Sequence, residues 1–191
     1  MNRGSRGPSA SETDRPMDLI VVPPINFSLV APGIFRSGHP NRKNVSFLRT
    51  LGLKGIMYVV GSEDYRKDSM ALVQSQGLDL YRFDLSNEAD LFTPDGRATL
   101  DRALIVALDR RNHPLLIHDD SGKSTCTLVC SLIRRMQGWS LTGVFAEGDL
   151  FGGPAEGAEG GGLSEAGREF IAMFEPGKLL VDRRYMPDWI G

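Results

Sequence analysis

The residues with the most chemical content stand together in one short stretch, His118-Asp119-Asp120-Ser121-Gly122-Lys123-Ser124-Thr125. It follows an apolar run, Pro114 to His118 (PLLIH), and leads directly into the helical pattern STCTLVC. A strand that turns tightly into a helix aims several backbone N–H groups and the positive end of the helix dipole at one point. That point lies beyond the carboxyl end of the strand, where open α/β sheets bind ligands. The stretch is therefore expected to be an anion cradle, with His118, Asp120, Ser121, Gly122, Lys123 and Ser124 as its loop. Two phosphate chemistries compete for it. Gly122-Lys123-Ser124 matches the end of the nucleotide-binding pattern G-x-x-x-x-G-K-[ST], but Ile117 stands where the opening glycine belongs, and no apolar strand ending in Asp offers a magnesium ligand. The other chemistry needs His-Cys, five residues, then Arg: a thiolate acidified by the helix N-terminus attacks phosphorus while the arginine fork holds two phosphate oxygens. At that spacing from His118 this chain has Asp119 and Thr125.

The elements that must position the loop alternate between extended and helical patterns. Val30 to Ser37 reads as a strand pair around Pro32-Gly33, and residues 41–51 as a helix closed by Gly52. Residues 54–60 (KGIMYVV) read as a buried strand, 63–76 as a helix capped by Ser62 and ended by Gly77, and 78–85 (LDLYRFDL) as a further strand. A polar loop covers 86–93. Thr93-Pro94 then supplies a cap and a first-turn proline for a helix over 95–111, with Leu100, Ala103, Leu104 and Ala107 on one face. After the PLLIH strand come helices over 124–137, from Ser140 to about 151, and over 164–175. Strand and helix in alternation predict an α/β domain: a central, mainly parallel sheet of four to five strands flanked by helices. Residues 1–18 are polar and rich in Gly, Ser and Pro and are expected to be a disordered tail, leaving the domain to 19–176. The Gly-rich stretch 152–162 is expected to be a flexible insert and 177–191 a C-terminal tail.

A chain of 191 residues supports one domain with a sizeable core. At 41% hydrophobic and 24% charged residues, wholesale disorder is excluded. Twenty-two Lys and Arg against 24 Asp and Glu give a net charge of −2, so no general basic excess is present for a nucleic-acid backbone or an anionic membrane. No nucleic-acid or membrane partner is expected. The longest apolar runs fall far short of the ~20 residues of a membrane span, and the N-terminus lacks a signal-peptide core, so a cytoplasmic protein is expected. The two cysteines, Cys126 and Cys130, are four apart in one helical pattern. They can neither staple distant segments nor complete a zinc site.

Several segments carry a resemblance. VPPINFSLVAPGIFRSGHPNRKNVSFLRTLGLKGIMYV, LDRRNHPLLIH, the Gly122-Lys123 pair, IRRMQGWSLTGVFAE and REFIAMF follow one another over roughly residues 22–175. In that order and spacing the chain resembles the plant and fungal atypical dual-specificity phosphatases. That group shares the protein-tyrosine-phosphatase fold and includes inositol-pyrophosphate phosphatases and the fungal oxidant-induced cell-cycle-arrest proteins. The resemblance implies that the nucleophilic cysteine belongs at Asp119 and the phosphate-gripping arginine at Thr125. It also implies that His118 orders the loop, that Arg36 pins the N-terminal strand to it, and that a general-acid loop falls near Asp95, with Asp90 and Glu88 as further candidates. Glu147-Gly148-Asp149-Leu150-Phe151 stands where the family shows E-Y-x-x-F.

The substitutions have a direct electrostatic consequence. Asp119 puts a fixed negative charge where an incoming phosphate must sit, and Asp120 adds a second. Loss of the arginine removes the bidentate counter-charge. A carboxylate at this helix end can itself accept the loop N–H groups. The expected function is a phosphatase-fold protein without cysteine catalysis, acting as a regulatory or scaffolding partner in hetero-association with related phosphatase-fold proteins and binding a phosphorylated ligand weakly or not at all. The alternatives are an active phosphatase on a phosphoprotein or inositol pyrophosphate, and a P-loop nucleotide enzyme. No cofactor is expected, and no metal, because His118, Asp119 and Asp120 are adjacent residues that seldom converge on one centre. Cys126 and Cys130 read as core residues, and Trp139-Ser140 as a core anchor followed by a helix cap.

Overall fold

The computed structural model describes residues 21–60, 65–152 and 162–190. Its sheet has five strands in the order β1-β2-β5-β3-β4. β1 (Ser28–Ala31) and β2 (Ile34–Ser37) form an antiparallel hairpin around Pro32-Gly33, where Gly33 has φ 86°. The other pairings, β2 with β5 (Leu115–His118), β5 with β3 (Gly55–Tyr58) and β3 with β4 (Asp79–Arg82), are all parallel. All four residues of β3 and of β5 are buried, as continuous apolar runs in a sheet covered on both faces require. The register brings Ser37, His118, Tyr58 and Arg82 level at the carboxyl edge.

Two cores form because β5 alternates its faces. Leu115 and Ile117 point into the larger core, with α3 (Pro94–Ala107), α4 (Ser124–Met136), α5 (Leu141–Gly152) and α6 (Glu165–Met173). Leu116 points into the smaller one, with α1 (Val45–Thr50) and α2 (Lys67–Gln76). The expected caps form: Thr93 accepts from the Gly96 N–H at 3.2 Å, with Pro94 in the first turn of α3, and Ser140 accepts from the Gly143 N–H at 3.3 Å; Ser164 likewise accepts from Gly167 at 3.1 Å. Gly77 and Gly138 follow α2 and α4 with φ 62° and 78°.

The departures are local. The helix expected over 41–51 opens as a 3-10 turn, Arg42–Asn44, because Asn41 and Asn44 cap one another reciprocally. α3 stops at Ala107 rather than Arg111, since the Asp109 carboxylate accepts the Arg111 N–H at 2.9 Å and bends the chain into a separate 3-10 turn, Arg110–Asn112. The polar loop 86–93 contains the 3-10 turn Glu88–Phe92. α2 starts at Lys67; Ser62, the expected cap, lies outside the described residues, as do residues 1–18 and most of the Gly-rich stretch. The segment set apart as a C-terminal tail packs on the domain: Leu179 and Ile190 are buried in the larger core, and the Trp189 Nε1–H donates to the Pro32 carbonyl at 3.1 Å. Among the described residues no helix is long and apolar enough to cross a membrane.

Candidate functional site

The loop between β5 and α4 is held from several sides by the chain that leads into and out of the hairpin. Asn26 donates its Nδ2–H to the Ser121 carbonyl at 2.8 Å, and the His39 N–H donates to the Asp120 carbonyl at 3.1 Å. Arg36, 1% exposed, donates from Nη2 to the Gly122 carbonyl at 2.8 Å and to Thr127 Oγ1 at 2.6 Å, so strand β2 is tied to the loop and to the first turn of α4. Gly122 has φ 77°, and a Cβ there would lie 2.5 Å from the Gly38 nitrogen. Conformation and space both demand glycine at this turn.

Asp119 fills the centre of the cradle. It is 2% exposed; its Oδ1 accepts the N–H of Ser121 at 2.9 Å and the N–H of Gly122, and its Oδ2 accepts the N–H of Cys126 at 3.0 Å. Hydrogen bonds to a charged acceptor stabilise by ~1.5–3 kcal/mol each, and the N-terminal end of α4 adds its dipole. The donors that would grip a phosphate therefore serve the chain's own carboxylate. Thr125 is buried in the first turn of α4, while Lys123 and Ser124 are half-buried at the loop's end. Asp120 turns outward: its Oδ1 accepts from Arg66 at 3.1 Å and from the Tyr58 hydroxyl at 3.5 Å.

Beneath the loop, His39, Tyr58, Tyr65 and His118 pack ring against ring, with centroids 4.8–5.7 Å apart. His118 Nδ1 lies 3.0 Å from the Asp119 carbonyl, which can only accept, so the proton is on Nδ1 and Nε2 accepts from the Tyr65 hydroxyl at 3.0 Å. Burial, reinforced by His39, holds the His118 pKa at about 3. Burial also lowers His39, to about 4, with Arg66 adding to the effect and Asp120 opposing it. Ser69, His39 and Asp120 stand in the order of a nucleophilic triad, at 2.8 and 3.5 Å, but His39 Nδ1 makes no hydrogen bond to the carboxylate. Ser69, however, is 2% exposed and donates its one proton to the Pro40 carbonyl at 2.8 Å, so it is a structural hydroxyl.

The other predicted residues are not gathered with the loop. Asp95, in the first turn of α3, lines a polar cleft of about 420 Å³ with Asp84, Asn87, Asp90, Thr93 and Thr99. Glu88 accepts from the N–H of Ser164 at 3.2 Å and from its hydroxyl, which ties the 86–93 loop to the start of α6. Cys126 and Cys130 are free, buried thiols. Among the described residues no three His, Cys, Asp or Glu side chains gather to hold a metal. The sequence reading missed His39, Tyr58, Tyr65 and Asn26, which reach the loop from four different segments. The one local signal was a tyrosine ending an otherwise apolar strand, whose hydroxyl needs a polar neighbour.

Comparison with known proteins agrees with this geometry. Residues 21–190 match the tyrosine phosphatase family. Inositol diphosphatase DSP3 of Arabidopsis thaliana is 38% identical over 136 residues, 71% of this chain and 66% of the relative. A putative tyrosine-protein phosphatase, OCA1 of Scheffersomyces stipitis, is 29% identical over 197 residues, 96% of this chain and 90% of the relative. Against several plant relatives the match spans somewhat under two thirds of their length, 62% for DSP5 of Arabidopsis thaliana. The crystal structure of the core catalytic domain of the PP-IP phosphatase SIW14 from S. cerevisiae superposes with a TM-score of 0.71 at 32% identity, covering 83% of this chain and 91% of that one. With the fold and the sequence in agreement, the chain belongs to the tyrosine phosphatase family, in its atypical dual-specificity branch.

Proposed function

We propose that this chain is a phosphatase-fold binding protein rather than a cysteine-dependent hydrolase, with a regulatory or scaffolding role toward related phosphatase-fold proteins. The observation that carries the reading is the Asp119 carboxylate, buried and accepting three backbone N–H groups of the loop. By resemblance, that position belongs to the attacking thiolate and Thr125 to the arginine clamp. A phosphate oxygen about 4 Å from Asp119 would meet a repulsion of roughly 4 kcal/mol per charge at an effective dielectric of 20. Cys126 does not replace the nucleophile, because its thiol lies 3.5 Å from the Ile117 carbonyl, inside the fold. Its interaction with the Cys130 thiol, and then its burial, push its pKa up, away from the thiolate. Two free cysteines suit a reducing compartment, and we assign the protein to the cytoplasm.

A second reading, hydrolysis of an inositol diphosphate, draws on the 38% identity to a relative of that name. Assays of the full chain on a generic phosphomonoester and on an inositol diphosphate separate the two. No turnover of either compound supports our reading; turnover abolished by Asp119→Asn replaces it with the second.

A further inference from the structure

Arg36 is a buried charge, 1% exposed, and among the described residues it makes no ion pair. Its Nη2 donates to two neutral oxygens, the Gly122 carbonyl at 2.8 Å and Thr127 Oγ1 at 2.6 Å, and its Nε has no hydrogen-bond partner. A guanidinium held away from water needs a further compensating partner. The structure supplies an aromatic face: Arg36 Cζ stands 3.7 Å from the centre of the Phe151 ring. A cation over a ring is attracted by the ring quadrupole, and more strongly out of water than at an exposed site. Both oxygens belong to the loop and to α4, whereas Phe151 comes from the end of α5. That helix runs close against α4 here, since a Cβ on Gly148 would lie 3.5 Å from Thr127 Cγ2. Gly122 is thus held from two sides, its carbonyl by Arg36 and its N–H by Asp119.

We propose that Phe151 is a positioning residue for the anion cradle: by stacking on Arg36 it fixes the guanidinium against the Gly122 carbonyl and keeps the loop N–H groups converged on Asp119. Its action passes through Arg36. With the ring face gone, the buried charge loses its compensation and is drawn toward water, and the Gly122 carbonyl loses its donor. The peptide groups on either side of Gly122 then lose one of the two holds on their orientation, and the bonds to Asp119 loosen with them. The assignment rests on our reading that the cradle serves the chain's own carboxylate, but its test needs neither turnover nor an added ligand.

The test is amide hydrogen exchange of the full chain, followed residue by residue by NMR, in the parent, Phe151→Leu and Phe151→Tyr. Leucine keeps an apolar side chain but loses the ring face, and tyrosine keeps both. In Phe151→Leu the amides of Ser121, Gly122 and Cys126 should exchange at least about tenfold faster, while Met57 and Leu116 in the central strands keep their parental rates. Phe151→Tyr should show the parental rates at all three loop amides. In an Arg36→Gln background, where the charge is gone, Phe151→Leu should add nothing further. Unchanged exchange at the three amides, equal acceleration through the central strands, no rescue by tyrosine, or the same acceleration without Arg36 would each overturn the proposal. Turnover of a phosphate ester by the parent would overturn the proposed function and leave the exchange result standing.

Discussion

Replacing Asp119 by alanine removes the anion that the loop is built around, and its cost follows from the bonds it breaks. Three backbone N–H groups, of Ser121, Gly122 and Cys126, lose their acceptor. A buried donor left unpaired costs ~1–3 kcal/mol, so the gross loss is about 3–9 kcal/mol. Against this, the variant no longer bears the desolvation of an enclosed carboxylate, several kcal/mol in its own right, and water can enter where the side chain was. A net destabilisation of about 2–4 kcal/mol is expected. In urea, with a slope of about 2 kcal/mol/M, that moves the unfolding midpoint down by roughly 1–2 M with the slope unchanged. The same variant leaves three donors and a helix N-terminus aimed at empty space, so inorganic phosphate should restore stability in a concentration-dependent way. The gain is about 2.7 kcal/mol when phosphate reaches 100 times its dissociation constant. A variant as stable as its parent, or one that phosphate does not rescue, would refute the idea that Asp119 is the ligand of its own cradle.

Acidification should weaken the fold through the histidines. His39 and His118 titrate at about 4 and 3 in the folded chain but near 6.5 when unfolded, so the folded state binds fewer protons. Their contribution is complete above pH 6.5 and falls as pH drops through 6.5 toward 4 and 3. The upper bound is roughly 3–5 kcal/mol each, and a melting series from pH 7 to pH 4 should fall less steeply for His39→Gln. Arg134 bonds both Glu147 oxygens, at 2.8 and 2.6 Å, and reaches the Val30 carbonyl on the edge strand and the face of Trp139. Glu147→Ala, which strands this nearly buried guanidinium, should cost about 3–5 kcal/mol in chemical unfolding, and a loss below ~1 kcal/mol would contradict the pair's role. Gly122→Ala should destabilise by more than ~2 kcal/mol, since both the positive φ and the Gly38 backbone oppose a side chain; an unchanged melting temperature would show that the loop has another conformation.

Much of this architecture is legible along the chain because its signals are local. Thr93-Pro94 announces the start of α3, and Gly77 and Gly138 mark the ends of α2 and α4. The apolar PLLIH run identifies a central strand, whose last residue presents the loop. Asp119 at the helix entrance is readable as an internal anion for the same reason: donor and acceptor lie within seven residues. What the sequence conceals is set by contacts between distant segments. His39, Tyr58, Tyr65 and His118 meet only because parallel strands align their carboxyl ends with the start of α2. Arg134 and Glu147 pair across two helices. The last residues look like a tail because their few apolar residues follow neither a helical nor a strand period, yet Leu179 and Ile190 each find a place in the larger core.

Calorimetric titration with orthovanadate puts the central claim to the most direct test, run on the unaltered chain beside the double variant Asp119→Cys with Thr125→Arg. A self-filled cradle predicts no heat of binding from the parent and saturable binding by the variant, which regains the thiol and the arginine fork. Saturable binding by the parent, or none by a correctly folded variant, would contradict it.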